Sequence, residues 1–306
     1  MTQEIRPGHG QSGLLRRTTT LTKLMRVGGV PEHFNLPWRL AIDDDAFAET
    51  GVEVVYSDYP AGTGELTRAL RDNKLDVALV LTEGAVADIL QHDKNRLVKI
   101  YVTSPLTWGI HVAADSDIRT IADIRDRRVA ISRFGSGSHL IAIVDAATRG
   151  WPTDDMTFVV VDNLDGARKA LANGSAEVFL WERHMTQPHV DSGEFRRVGQ
   201  REVPWPAFAV SVRRPILASH SRQIHAVLDV VARYANNLKR RTTAASLIAD
   251  TYGIRLSDSR KWLNEVRWGT GYRRPTAALA RVAKALEAQK VIAPGDYDPD
   301  NIWHRL

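Results

Sequence analysis

The stretch "TIADIRDRRVAISRFGSGSHLIAIVDAATRG", residues 120–150, decides the fold class of this chain. An apolar strand near residues 129–131 leads into a loop of glycines and serines, and a helical pattern follows. Such a junction is typical of a βα unit in which free backbone amides at the helix start approach a ligand or another chain segment closely. The stretch therefore predicts an α/β fold.

The same order of elements occurs once before in the chain. With a shift of 101 residues, Asp76-Val77 falls on Glu177-Val178, and with a shift of 102 Val27 falls on Val129. Each copy has the same predicted order of a helix, a short turn, an acidic residue and an apolar strand. An internal duplication is therefore one interpretation. Chance similarity between two βαβ units is the alternative, since all such units share apolar spacing. We expect two Rossmann-like lobes with mostly parallel sheets.

Individual elements follow from the apolar spacing. Strands are predicted at 24–30, 52–59, 76–84, 97–103, 158–163, 176–182 and 208–214. Helices are predicted to begin near residue 36 and over 62–73, with longer amphipathic helices over 221–241 and 274–292. The segment "TEG", residues 82–84, is expected to be a polar turn.

Composition limits the function classes. The chain has 306 residues, no cysteine and a net charge of +5, of which the first 24 residues contribute +3. The absence of cysteine excludes disulfides, thiolate metal sites and thiol catalysis. The small remaining charge does not suggest a nucleic-acid partner.

The N-terminal residues carry no recognisable export signal. "MTQEIRPGHGQSGLLRRTTTLTKLM" lacks the apolar stretch of about 7–15 residues found in secretory signals. There is no cysteine to form a lipobox and no apolar run of about 18 residues that would insert into a membrane. We expect a cytoplasmic protein with residues 1–24 as a disordered extension, and import into an organelle is the alternative.

Polar residues at the ends of apolar strands are the candidate site, because ligands bind beyond the carboxyl ends of strands in open α/β sheets. In the glycine-serine loop, Ser136 and Ser138 offer hydroxyls at a helix start, and Arg133 offers guanidinium donors. An ordinary helix cap is the alternative interpretation. Glu83 and Glu182 each close an apolar strand, where a cap or an ion pair is the alternative.

A second candidate loop follows the first strand. It places Glu32, His33, Asn35 and Trp38 within seven residues, although a tryptophan there is usually part of the core. Neither a metal site nor a catalytic group is predicted, and no cofactor is expected. His184 and His189 are interrupted by Pro188, and no Gly-x-Ser-x-Gly motif is present.

Several segments resemble a known family. "VGGVPEHFNLPWRLAIDDDAFAETGVEVVY", "TIADIRDRRVAIS" and "ALANGSAEVFLWE" are similar to type II periplasmic-binding-protein domains of the NMT1/THI5-like and SsuA-like group. "YPAGTGELTRAL", "LTEG", "SPLTWGIHVAA" and "WPAFAV" are most similar to its non-secreted Ca3427-like subgroup. The resemblance covers about residues 25–270.

The resemblance implies two lobes around a central cleft that closes by hinge motion. Lobe I would be discontinuous, with residues 25–107 and 206–306, and lobe II would comprise residues 108–205. The crossings would lie near residues 104–111 and 203–210. Together with Trp38, the ligand-binding residues would be Glu32, His33, Asn35, Thr63, Gly64, Thr82, Glu83, Trp108, Ser132, Arg133, Ser136, Ser138, His139, Trp181, Glu182 and Trp205.

Three functions are compatible with this resemblance to different degrees. The first is a solute-binding protein for a small polar organic ligand, either heteroaromatic and pyrimidine-like or a sulfonate or carboxylate, with an ABC permease as partner if the chain is exported. The second is a THI5-like pyrimidine-precursor enzyme, which uses iron, pyridoxal phosphate and a histidine such as His33 or His139. That enzyme carries a cysteine-rich motif that this chain lacks. The third, a regulator's effector domain, needs more than the 24 residues before the first strand for a DNA-binding unit.

Overall fold

Two five-stranded sheets organise residues 23–295 and 297–306, which are the part of the chain described by the computed structural model. The predicted extension lies outside the described residues up to position 22, and Lys23 and Leu24 already belong to the first strand. No helix in the described ranges is long and apolar enough to cross a membrane.

The elements of the first lobe are β1 (Lys23–Gly29), α1 (Leu36–Asp43), β2 (Val52–Asp58), α2 (Thr63–Arg71), β3 (Val77–Leu81), α3 (Thr82–His92) and β4 (Asn95–Val102). Those of the second are β5 (Thr107–Ala113), β6 (Val129–Ile131), α4 (Gly137–Thr148), β7 (Phe158–Val160), α5 (Leu164–Ala172), β8 (Val178–Glu182), α6 (Gln187–Asp191) and β9 (Phe195–Glu202). The chain continues with β10 (Phe208–Arg213), α7 (Arg214–Arg240), α8 (Ala244–Tyr252), α9 (Leu256–Glu265), α10 (Thr276–Ala288) and α11 (Pro299–Ile302).

The two sheets have equivalent strand orders, β2-β1-β3-β10-β4 and β7-β6-β8-β5-β9. In each sheet the first three strands are parallel, whereas β10 and β5 run antiparallel to both of their neighbours. The sheets are therefore mixed: four of the five strands in each run in one direction, in agreement with the expectation of mostly parallel sheets, and one strand is reversed. The physical reason is that β5 and β10 each enter their sheet from the other lobe and so run in the opposite direction.

Equivalent contacts in the two lobes agree with the internal duplication. Val27 pairs with Val77 in one sheet, and Val129 pairs with Val178 in the other. The Arg26 backbone N–H donates to Asp76 at 3.0 Å, and the equivalent N–H of Arg128 donates to Glu177 at 3.2 Å. The acidic residue before each central strand, β3 or β8, thus holds the neighbouring strand of its sheet, β1 or β6.

The chain crosses between the lobes twice, over residues 103–106 and 203–207. Because β10 returns to the first sheet, the first lobe is discontinuous, as predicted. Leu106, Val203 and Trp205 on these crossings are buried in a core cluster that includes residues of both lobes.

Three local features differ from the prediction. Residues 82–84 form the first helical turn of α3 and not the polar loop turn that was predicted. Leu81 has an extended backbone, and the next residue is already helical. Helix α7 begins at Arg214, with a non-helical residue at His220. Helices α8 and α9 were not predicted, since their buried residues are few and interrupted by polar ones.

Candidate functional site

A narrow cavity of about 40 Å³ lies between the two lobes, at the carboxyl ends of β1, β3, β6 and β8. It is lined by Val30, Glu32, Ala61, Gly62, Thr63, Leu81, Leu106, Trp108, Ser132, Ser136, Gly137, Ser138, Trp181, Glu182 and Phe208. Both lobes contribute residues, and so does the first crossing, through Leu106. The small volume shows that the lobes are close together in this structure.

The first lobe contributes the start of α2. Gly62 precedes the helix with a φ of +81°, a conformation that favours glycine, and no side chain caps the helix there. Thr63 lies in the first turn, and its hydroxyl accepts the backbone N–H of Leu81 at 2.9 Å. The helix start is thereby attached to the end of β3, with its positive end at the cavity.

The second lobe contributes the start of α4 and a group of three buried serines. The Ser136 hydroxyl accepts the backbone N–H of His139 and so caps the helix. The Ser138 hydroxyl lies 3.0 Å from that of Ser136 and accepts the Ser132 N–H at 3.0 Å. The hydroxyls hold one another in place, and both interpretations of the loop, as a helix cap and as a cavity wall, are correct.

Aromatic side chains form much of the apolar wall. Trp108 is only 4% exposed, and its indole N–H has no hydrogen-bond partner in the described part of the chain. Trp181 stacks on Phe179 with ring centroids 5.3 Å apart, and Phe208 follows the return crossing. Flat apolar faces of this kind suit the ring or alkyl portion of a small ligand.

Two buried carboxyls reach the same cavity from opposite lobes. Glu32 follows β1 in lobe I, and Glu182 ends β8 in lobe II. Burial and the nearby charge of Glu182 raise the pKa of Glu32 to about 8, although the Trp181 side chain donates a hydrogen bond to it. Burial also raises the pKa of Glu182, which accepts the Met185 N–H at 2.7 Å. Near neutral pH the pair therefore holds at least one proton.

Eight of the seventeen residues predicted for the site line the cavity. They are Glu32, Thr63, Trp108, Ser132, Ser136, Ser138, Trp181 and Glu182. The other nine lie behind the cavity walls or in the core. They are His33, Asn35, Trp38, Gly64, Thr82, Glu83, Arg133, His139 and Trp205.

The residues that follow Glu32 turn away from the cavity. His33 is fully buried and stacks on Trp262 of α9 with ring centroids 4.1 Å apart, and burial keeps its pKa low. The Asn35 side chain donates to the Val30 carbonyl at 2.8 Å. Trp38 is fully buried beside Phe47 in the core. None of these three residues is among those that line the cavity.

Glu83 and Trp205 form a buried pair below the cavity. The indole N–H of Trp205 donates to Glu83 at 2.9 Å, which ties the return crossing to the start of α3. Burial raises the pKa of Glu83 to about 7. Thr82, the residue before it, is also fully buried. The pair fixes a crossing segment and does not contact the cavity.

Arg133 and His139 hold the glycine-serine loop from outside. The Arg133 guanidinium donates to the Ala61 carbonyl of the other lobe, and its side chain covers Gly64 so closely that a Cβ there would lie 2.5 Å from Nε. His139 accepts the Gly135 N–H at 3.1 Å. Arg133 thus joins the lobes and provides no charge to the cavity lining.

Seven lining residues were absent from the predicted set. Leu81 directly precedes the predicted Thr82, and Val30 and Ala61 lie two residues before the predicted Glu32 and Thr63, so the strand-end rule could have found them. Gly62 and Gly137 are the small residues at the two helix starts. Leu106 lies on the first crossing and Phe208 directly follows the second, and no local sequence signal marks either residue.

A second contact between the lobes involves α9. Glu265 lies 2.8 Å from the Arg183 guanidinium and 3.2 Å from the His184 ring, and Arg255 lies 2.9 Å from Asp191. Because α9 packs on lobe I through Trp262, these ion pairs link the lobes. Among the described residues, no group of three or more histidines or acids is placed to hold a metal ion.

Comparison with known proteins identifies the fold. A sequence model described as Ca3427-like PBP matches residues 108–201. The Candida albicans CA3427 gene product, which defines a family with the generic periplasmic-binding-protein fold, is similar in structure, with a TM-score of 0.84 and 23% identity over 92% of this chain and 96% of that one. No curated protein matches.

Sulfonate-binding proteins have the same fold. The alkanesulfonate-binding protein SsuA from Xanthomonas axonopodis pv. citri, bound to MOPS, matches with a TM-score of 0.79 and 17% identity over 92% of this chain and 98% of that one. The aliphatic sulphonate-binding SsuA from Escherichia coli matches with a TM-score of 0.68 and 18% identity over 93% of each chain. The chain has the two-lobed periplasmic-binding-protein fold, and the resemblance stated from its sequence is confirmed.

Proposed function

We propose that this protein binds a small polar organic molecule in the cavity between its lobes and closes around it. One observation carries the proposal. Each lobe supplies a helix start and a buried carboxyl to the same enclosed space, between aromatic walls. The binding proteins that share the fold support it as well.

The polar groups favour a ligand with two chemically different ends. Hydroxyls of Ser136 and Ser138 and the starts of α2 and α4 suit a carboxylate, a sulfonate or another acceptor group. Glu32 and Glu182 suit hydrogen-bond donors. A flat ring, such as a pyrimidine, would fit against Trp108 and Trp181. A permease belongs to this proposal only for an exported form of the protein.

The THI5-like enzyme is not favoured by the geometry. The histidines on which that alternative depended, His33 and His139, do not line the cavity. His33 is enclosed by aromatic rings, and His139 accepts a backbone N–H of its own loop.

Native mass spectrometry of protein captured from its own host tests the proposal. The Ser138→Trp variant fills the cavity, because Ser138 is 1% exposed and lines it. The matched control is Ser257→Trp, at an exposed position of α9. We expect a bound small molecule on the wild type and on the control but not on the cavity variant. The same small molecules on all three proteins, or none on any, would overturn the proposal.

A further inference from the structure

The carboxyl pair formed by Glu32 and Glu182 faces an otherwise uncharged cavity, and this combination indicates which ligands enter. Arg133, the cation predicted for the cavity, is not among the lining residues, and its guanidinium donates to the backbone carbonyl of Ala61. No lysine, arginine or histidine lines the cavity in the described part of the chain. A simple anion would meet two carboxyls there and no cationic side chain in the lining of the cavity.

We propose that the ligand carries a cationic donor group, an amine or an amidine, which binds between Glu32 and Glu182, the two carboxyls that line the cavity from opposite lobes. This inference rests on the proposed function and names its substrate class. It distinguishes this cavity from one that takes simple alkanesulfonates.

When both carboxyls are ionised, neither can donate a hydrogen bond to the other across the lobes. Each is less than 10% exposed, and like charges in a buried site repel strongly. A bound cation removes that repulsion, whereas a neutral or anionic ligand leaves the proton in place. Binding of a cation at neutral pH should therefore release a proton to solvent.

A separate observation indicates that the same ligand has an acceptor end. The indole N–H of Trp108, a residue that lines the cavity, is buried and has no partner among the described residues. A buried donor without a partner has a free-energy cost that a ligand acceptor would remove. The Trp108 N–H and the serine hydroxyls thus suit an acceptor on a molecule whose other end is the cation.

Several other groups face the pair and set the pH range. Those near Glu32 are Glu182, Tyr56 and Tyr252, and those near Glu182 are His33, His184, Arg183 and Arg197. Burial and Tyr56's neighbouring Asp58 raise the pKa of Tyr56, and burial raises that of Tyr252, so both tyrosines stay neutral near pH 7. Burial lowers the pKa of His33, which stays neutral as well. Because the pKa of Glu32 is raised to about 8, the affinity for a cation should increase as the pH is raised toward about 8, by up to about tenfold per pH unit.

Isothermal titration calorimetry on the full chain tests the inference with matched probes. The pairs are 3-aminopropionate with propionate and acetamidinium with acetamide, each measured at pH 7 in two buffers of different ionisation enthalpy. We expect the cationic member of each pair to bind at least tenfold more tightly and to release up to about one proton.

Glu32→Gln and Glu182→Gln keep the size and hydrogen-bonding capacity of the buried side chains. Each substitution should weaken the binding of the cationic probes at least tenfold and abolish most of the proton release. The exposed Glu53→Gln should change neither. Equal binding of propionate and 3-aminopropionate, unaffected affinity in both variants, or no binding of either cation would overturn this inference. Native mass spectrometry of the protein captured from its host tests the proposed function independently of this result.

Discussion

Replacing Gly137 by alanine is expected to force the lobes apart. Gly137 is the first residue of α4, and a Cβ at this position would lie 2.4 Å from Leu81 Cδ1 and 2.7 Å from Trp108 Cη2. Leu81 belongs to lobe I, whereas α4 belongs to lobe II. Carbon atoms in contact prefer separations of about 3.5 Å or more, so about 1 Å of movement is needed.

The extra methyl group destabilises the closed arrangement of the two lobes. Overpacking by one methyl group typically costs about 1–3 kcal/mol. If opening of the lobes relieves this strain, the ratio of closed to open molecules decreases by about 5- to 150-fold. A ligand that requires the closed lobes should lose affinity by a similar factor.

Distance measurement between the lobes tests this expectation without a ligand. The chain has no cysteine, so Arg68→Cys and Lys169→Cys place one spin label on an exposed position of α2 and one on α5. Pulsed dipolar spectroscopy should show longer and broader distances in Gly137→Ala than in the wild-type background. Gly271→Ala is the control, since its Cβ meets nothing within 4 Å. Identical distance distributions in all three proteins would refute the reasoning.

Three further predictions concern stability and closure. Trp38→Ala, in a fully buried position, should lower the free energy of unfolding by about 3–5 kcal/mol in urea titrations, and a loss below about 1 kcal/mol would contradict its place in the core. Because burial raises the pKa of Glu83 to about 7, the folded state retains a proton that the unfolded state loses, and stability should fall between about pH 4.5 and 7. The contribution is on the order of 3 kcal/mol, and Glu83→Gln should remove that part of the slope in urea titrations at pH 5 and 8. Glu265→Gln weakens the ion pair with Arg183, and because Glu265 is 46% exposed the same spin labels should show only a few-fold increase in the open population. No change, or complete opening, would contradict this assignment.

Much of the fold can be predicted from the sequence because it is encoded in short-range patterns. Apolar spacing predicts the strands and helices, and the repeat of an acidic residue before the central strand predicts two equivalent lobes. In the structure Asp76 accepts a backbone N–H of β1, and Glu177 accepts the backbone N–H directly before β6. The repeated acidic residues therefore reflect a repeated contact. The loops at the carboxyl ends of the strands also follow from this pattern, together with eight of the lining residues.

The antiparallel placement of β5 and β10 is not visible in the local sequence, because each strand reaches its sheet from the other lobe. The same limitation applies to Leu106, at the end of the first crossing, and to Phe208, directly after the second. Both residues line the cavity.

Sequence alone determined most of the strand ends and the starts of several helices, since those positions depend on neighbours a few residues away, although it missed the starts of α3 and α7 and the helices α8 and α9. Only the tertiary structure decided which of their side chains reach the cavity. Arg133 bonds to a carbonyl of the opposite lobe, His33 packs under Trp262, and Glu32 and Glu182 meet at the same space. These outcomes depend on how surfaces far apart in the chain pack together, and no spacing within either segment encodes that packing.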